Sequence, residues 1–291
     1  MHSSPFSPQT FWVEGFSAVS EYIKWKPGAV VEIHCIPKEQ ATVRRLLSER
    51  GSHVPVIVRE LTVQDGQNRD LSERRGSKGA KGKFQGEERA PKGRGERGGK
   101  PSLRDGQRPA VVPSAPVVAK VVLSALPVAD WMGRLGKTPT SLILALDHVQ
   151  DPRNLGAILR SAAFFGVRNV LVPERRQVLL TQASVATAQG GFALCDLVCT
   201  VNLGRTLRDL KDKGYWILGA TMDGEAIPQV AGHYEKVVLV LGAEETGLSR
   251  SVEEICDRKV AIQGAGELDS LNVSVAAGIL LNAFTNTSLR S

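Results

Sequence analysis

Cysteine is scarce in this chain, with only Cys35, Cys195, Cys199 and Cys256 among 291 residues. So few and so scattered, they exclude a disulfide framework and point to a reducing cytoplasm. Cys195-x3-Cys199 is half a metal site at most, because no second pair or nearby histidine completes it. No apolar run approaches the roughly 20 residues that a membrane helix needs. Met1–Gln9 is rich in Ser and Pro and lacks the basic–apolar pattern of a secretory leader. No Gly-Lys-Ser/Thr ends a glycine loop as in a phosphate-binding loop, no Gly-x-Gly-x-x-Gly marks a dinucleotide fold, and no His-Glu-x-x-His marks a metalloprotease.

What is present is unevenly distributed. Gly66–Arg108 holds eight Arg and five Lys against six acidic residues, a surplus equal to the +7 formal charge of the whole chain. The same stretch has ten glycines and only five Leu, Phe or Ala, too little apolar surface to offset the entropy of ordering it. Residues 65–110 therefore read as a disordered basic linker, either an RNA-contacting arm or a tether. Residues 1–64 read as a small α/β domain: a helix over Gly15–Ile23, a strand over Val30–Cys35, a helix over Glu39–Arg50 stopped by Gly51, and a strand over Val54–Val58.

Residues 111–291 read as a larger α/β domain. Val117–Leu123 is strand-like, and Leu126–Leu135 bridges into the main sheet. Strands are expected at Leu142–Leu146, Asn169–Val172, Leu197–Val201, Trp216–Ala220, Val237–Leu241 and Lys259–Ile262. Leu-Ile-Leu-Ala-Leu and Val-Val-Leu-Val-Leu are continuous apolar runs, which implies strands covered on both faces and a mainly parallel sheet. Helices fit at Leu155–Phe165, Thr181–Gln189, Arg205–Lys213, Arg250–Cys256 and Val273–Phe284. The last is apolar almost all round and belongs in a core, a subunit interface, or both.

Three junctions carry residues that packing alone does not require. Asp151-Pro152-Arg-Asn154-Leu-Gly156 opens a helix with Asn154 as its expected N-cap, and Arg160 is a charge within that helix. Gly242-Ala-Glu244-Glu245-Thr-Gly247 follows an apolar strand, with glycines that permit close backbone approach. Gly264-Ala-Gly266-Glu-Leu-Asp269-Ser270-Leu271-Asn272-Val-Ser274 precedes the last helix and has more polar residues than one cap needs. Singly, each reads as a cap, a turn or a solvated arginine.

Taken in order, the three segments resemble the motifs of the SpoU (TrmH-like) family of the SPOUT superfamily, RNA ribose 2′-O-methyltransferases dependent on S-adenosyl-L-methionine. The resemblance covers roughly Leu142–Phe284. It implies a C-terminal sheet tied into a trefoil knot, a bent cofactor within the knot, and a homodimer with sites near the interface. By motif position it implies that Asn154, Arg160, Glu244, Ser270 and Asn272 are catalytic, and that Gly242, Ile262 and Leu271 contact cofactor. The family gives the arginine the role of proton acceptor, here Arg160. The Phe11–Gln64 region is similar to the small RNA-binding domain, with a ribosomal-protein fold, that often precedes this catalytic domain. Two departures stand out: Ile262-Gln263 replaces the usual Ile-Pro, and a long basic arm replaces a short linker. The expected activity is methylation of ribosomal RNA, with no metal and no membrane. The alternatives are transfer RNA as substrate, or a non-catalytic RNA-binding or assembly factor.

Overall fold

The computed structural model describes residues 7–60, 115–135, 142–174, 180–267 and 270–287. The basic linker expected over 65–110 lies outside them.

A four-stranded sheet is built from β1 (Gln9–Glu14), β2 (Val30–Cys35), β3 (Val56–Val58) and β4 (Val117–Leu123), in the order β1-β4-β2-β3. β4 runs antiparallel to both β1 and β2, and β3 lies parallel to β2. Helices α1 (Phe16–Trp25) and α2 (Pro37–Glu49) complete this part. Gly51 has φ +61° just beyond α2, the left-handed conformation that ends a helix at little cost when no Cβ is present. Two features differ from the sequence reading. β1 was not anticipated, and Val117–Leu123 is an inner strand of this sheet rather than the first strand of the large domain. The pattern of β4 shows a strand covered on both faces, but only the fold supplies its partners, which lie some 80 residues upstream at Val30–Cys35 and earlier still at Gln9–Glu14.

The second sheet has seven strands: β5 (Leu126–Pro127), β6 (Leu142–Leu146), β7 (Asn169–Pro173), β8 (Asp196–Thr200), β9 (Trp216–Ala226), β10 (Val237–Leu241) and β11 (Arg258–Ala261). Their order is β11-β9-β10-β6-β7-β8-β5, and every neighbouring pair is parallel. The helices are α3 (Val128–Arg134), α4 (Pro152–Phe164), α5 (Gln182–Ala188), α6 (Gly191–Leu194), α7 (Leu203–Lys211), α8 (Arg250–Glu253) and α9 (Val273–Thr287). The continuous apolar strands are explained by cover on both faces. Leu144, Leu146, Leu239 and Leu241 pack with Leu155, Ile158 and Leu159 of α4 and Leu280 and Leu281 of α9. Ile143, Ala145, Val238 and Val240 pack with Leu207 and Leu210 of α7, Val252 of α8 and Trp131 of α3.

The two sheets share one apolar cluster that runs through Val185, Ala188 and Phe192. At the edge strand β1, the Gln182 side chain accepts from the Trp12 amide (3.1 Å) and donates to the Trp12 carbonyl (2.7 Å), pairing an edge that is otherwise open. Strand order reverses between β6 and β10. In open parallel sheets ligands bind beyond the carboxyl ends of the strands at such a reversal, and the segments that follow β6 and β10 leave the sheet there.

Candidate active site

The first segment leaves β6 at Asp147, whose amide donates to the Leu241 carbonyl (2.7 Å) and so extends the β6–β10 pairing by one residue. The Asp147 carboxylate is buried. One oxygen accepts from the Ser249 amide (2.6 Å) and the other faces His148 Nδ1 (2.8 Å). This clamp ties the end of β6 to the far end of the second segment. Asp147 is a site residue that the sequence motifs did not single out. A lone carboxylate ending an apolar strand was the available signal.

Helix α4 is capped by Asp151, which accepts from the Arg153 amide at 2.8 Å, with Pro152 in the first helical position. The expected cap, Asn154, is instead the third residue of the helix. Asp151 takes the capping position because Pro152 follows it and disfavours helical geometry there. Asn154 is thereby freed to turn its buried side chain toward the carboxyl ends of β6 and β10.

The second segment is a closed turn. Ala243 and Gly247 exchange both backbone hydrogen bonds, at 3.0 and 2.9 Å. Gly247 has φ +66°, and a Cβ on Gly242 would lie 2.2 Å from the Gly247 carbonyl carbon. Neither position tolerates a side chain without loss of the turn. The turn presents Glu244 at its exposed tip.

Asn272 begins α9. Its side-chain oxygen accepts from the Ser274 amide (2.9 Å) and hydroxyl (2.6 Å), while its carbonyl accepts from the amides of Val275 and Ala276. Its Nδ2 donates to Glu244 Oε1 (3.0 Å) and Asn154 Oδ1 (3.2 Å), and Asn154 Nδ2 donates to the same Glu244 oxygen. Asn154, Glu244 and Asn272 thus close a three-membered hydrogen-bonded ring drawn from three segments. Both amides orient the carboxylate, and its second oxygen remains to accept from a hydroxyl or a guanidinium.

Two expected catalytic residues are not in the ring. Ser270 is exposed beside it. Arg160 is six residues after Asn154, about 240° around the helix, and the two do not converge within one chain. Arg160 is exposed, and among the described residues it forms no ion pair or side-chain hydrogen bond. It lines a shallow hollow of about 170 Å³ with Phe164, Gln189, Gly190, Gly191 and Leu194.

The residues expected to hold a cofactor fit one in type and exposure. Ile262 is half-buried and Leu271 is 48% exposed, so both offer apolar surface in the segment between β11 and α9. A Cβ on Gly264 or Gly266 would meet nothing within 4 Å, which leaves room along that backbone. Gln263 is exposed.

A family model described as the SpoU rRNA Methylase family matches residues 141–282. A protein of Mycobacterium avium (strain 104) named "Uncharacterized tRNA/rRNA methyltransferase" is 42% identical over 152 residues, which are 52% of this chain and 49% of that protein. The chain thus spans about half the length of the curated relatives it matches. The SpoU methyltransferase AviRb of Streptomyces viridochromogenes, solved with the cofactor AdoMet, is 20% identical with a TM-score of 0.65, covering 97% of this chain and 92% of that one. An AdoMet-bound rRNA methyltransferase of Sinorhizobium meliloti is 19% identical with a TM-score of 0.63, covering 95% and 87%. At such identities these two structures share the fold.

Proposed function

We propose, from the premise that this chain belongs to the SpoU rRNA methylase family through residues 141–282, that it methylates a ribose 2′-hydroxyl of RNA, with ribosomal RNA as the first substrate to test. The observation that carries this reading is the Asn154–Glu244–Asn272 ring. A binding module needs no carboxylate held by two amides from distant segments beyond the carboxyl ends of a parallel sheet.

S-adenosyl-L-methionine, when bound, supplies an electrophilic methyl group. Ile262 and Leu271 would offer it apolar contact, and the backbone of the Gly242 turn would hold its polar groups. The ring fixes the geometry of acceptor-side groups, and alignment of this kind accounts for much of the acceleration in transfer reactions. The hydroxyl proton must also leave. A guanidinium is a weak base near neutral pH but a strong donor. We therefore assign Arg160 to orienting the acceptor and stabilising its developing negative charge.

Because Arg160 lies away from the ring in its own chain, we place the complete site at a homodimer interface, where a guanidinium from one protomer meets the ring of its partner. Exposed Leu271 in the loop before α9, Val275 and Ile279 on α9, and Phe164 of α4 support this arrangement. The knotted C-terminal path belongs to the same proposal: β11 lies at the sheet edge, yet Asn272 returns across β10 to reach Glu244 and Asn154. The cytoplasm is the compartment that suits the four free thiols.

The test is transfer of tritiated methyl from the cofactor to ribosomal and transfer RNA, followed by nuclease mapping of the product. Arg160→Lys retains part of the turnover because the positive charge survives. Arg160→Ala loses turnover by about a hundredfold or more while still binding cofactor, on the scale of one lost transition-state donor. Full activity in Arg160→Ala rejects the assignment.

A further inference from the structure

The hollow beside Arg160 does not end at that residue. Its far wall includes Gly190 and Leu194, and the same backbone is gripped from the small sheet's side. A Cβ on Gly190 would lie 3.1 Å from the Glu21 side chain of α1. The Leu194 carbonyl accepts from Arg168 Nη1 at 3.3 Å, and the Phe192 carbonyl accepts from Lys26 Nζ at 3.3 Å. The Arg168 guanidinium lies 5.6 Å from the ring centre of Trp25, which closes α1 and is 58% exposed. Arg160, the hollow, Arg168 and Trp25 therefore form one continuous surface across the junction of the two sheets.

The charge of that surface is one-sided. Glu21 is paired with Lys24 (3.4 Å) and Asp196 with Lys26 (3.7 Å). Among the described residues, neither Arg160 nor Arg168 has a carboxylate at ion-pair distance. An exposed tryptophan backed by an arginine, with unneutralised guanidinium groups along the approach, suits a chain of alternating aromatic bases and phosphates. An apolar partner would leave the two arginines unmatched, and a partner carrying only carboxylates would leave the exposed Trp25 face without a stacking ring.

We infer that this surface holds the single-stranded RNA flanking the acceptor nucleotide, with one base stacked on the open face of Trp25 and backbone phosphates against Arg168 and Arg160. The inference rests on the RNA reading above and extends it by naming where the substrate strand runs. The close packing of α1 on Gly190 sets the spacing between the base platform and Arg160, and so the distance from a recognised base to the methylated ribose.

The test uses the full chain and a twelve-residue oligouridylate. Of the four tryptophans, Trp12 and Trp131 are buried while Trp25 and Trp216 are exposed, so quenching can be assigned. Oligouridylate is expected to quench tryptophan fluorescence in the parent and in Trp216→Phe, and to lose most of that quenching in Trp25→Phe. Trp25→Ala weakens binding about tenfold with Tm unchanged within a few degrees, whereas Trp25→Phe, which keeps a stacking face, recovers most of the affinity. Arg168→Ala lowers the slope of log affinity against log salt by about 0.7, as one phosphate contact on a single strand requires. No binding, quenching that follows Trp216 instead, or an unchanged salt slope in Arg168→Ala each overturns the inference. Trp25-dependent binding without methyl transfer to any RNA overturns the functional reading and leaves the surface standing. Methyl transfer without Trp25-dependent quenching does the reverse.

Discussion

Asn272 serves structure and chemistry with different atoms. Its oxygens cap α9, and its amide nitrogen holds Glu244 and Asn154. The two roles separate by substitution. Asn272→Ser keeps a capping oxygen and should leave Tm close to the parent, yet it deletes the donor to a carboxylate, worth about 1.5–3 kcal/mol. Turnover should then fall roughly tenfold to a hundredfold. Asn272→Ala loses the same turnover and also about 1 kcal/mol of cap stability. A calorimetric Tm and a methyl-transfer rate on both variants check this. At this scale the sequence was partly legible. The residue types of the ring and their surplus over capping needs were visible in Ser270, Asn272 and Ser274. The cap at Asp151 was misread as Asn154, because two good capping residues stand three apart and only the helix phase chooses between them. Arg160 was grouped with the ring by motif order, although its spacing of six residues already puts it about 240° around the helix from Asn154.

Close approaches organise the elements. Gly156 brings α4 against α5, where a Cβ would lie 2.5 Å from the Ser184 carbonyl oxygen. On helix propensity alone, Gly156→Ala would stabilise by about 1 kcal/mol. The collision is with backbone, which cannot rotate away, and overpacking costs about 1–3 kcal/mol. Net destabilisation is expected, read as a lower urea midpoint at unchanged slope. Gly204 offers a contrasting case, since its nearest neighbour is a flexible Ile255 methyl at 3.1 Å. Gly204→Ala should cost less. Most elements of the large sheet were legible because a strand buried on both faces leaves a continuous apolar run. Arg250–Cys256 was drawn too long: α8 spans only Arg250–Glu253, and residues to Cys256 form turns closed on Val252 and Glu253. β4 was assigned to the wrong sheet because pattern describes burial and not pairing.

For the whole molecule, the exposed α9 stripe and the buried thiols each make a prediction. Val275, 50% exposed, and Ile279, 38% exposed, lie on one side of α9. Placing a charge there with Val275→Asp should convert the proposed dimer to a monomer, measured by light scattering, and abolish transfer while cofactor binding persists. A parent chain that is monomeric at micromolar concentration rejects the dimeric site. Burial pushes the thiols of Cys195 and Cys199 up to about 12, so both remain protonated in the folded chain long after an exposed thiol ionises. A raised folded value means a contribution that is complete below the unfolded value and is lost as pH rises toward the folded one. Stability in urea should hold level up to about pH 8 and decline above about pH 9, by at most about 1.4 kcal/mol per pH unit for Cys195 and by less for Cys199. Cys195→Ala should flatten the decline, even though it lowers stability near neutrality.

The sequence by itself determined the α/β class, the two-faced parallel sheet and the identity of the ring residues, because apolar runs, capping chemistry and glycine turns are local properties of the chain. Tertiary structure alone decided which strands pair, that Asp151 rather than Asn154 caps α4, that the side chains of Asn154, Glu244 and Asn272 meet, and that Asp147 clamps the site. These are matters of direction in space. Residues far apart in the chain meet only after strand order and helix phase are set, and neither is written in any single segment.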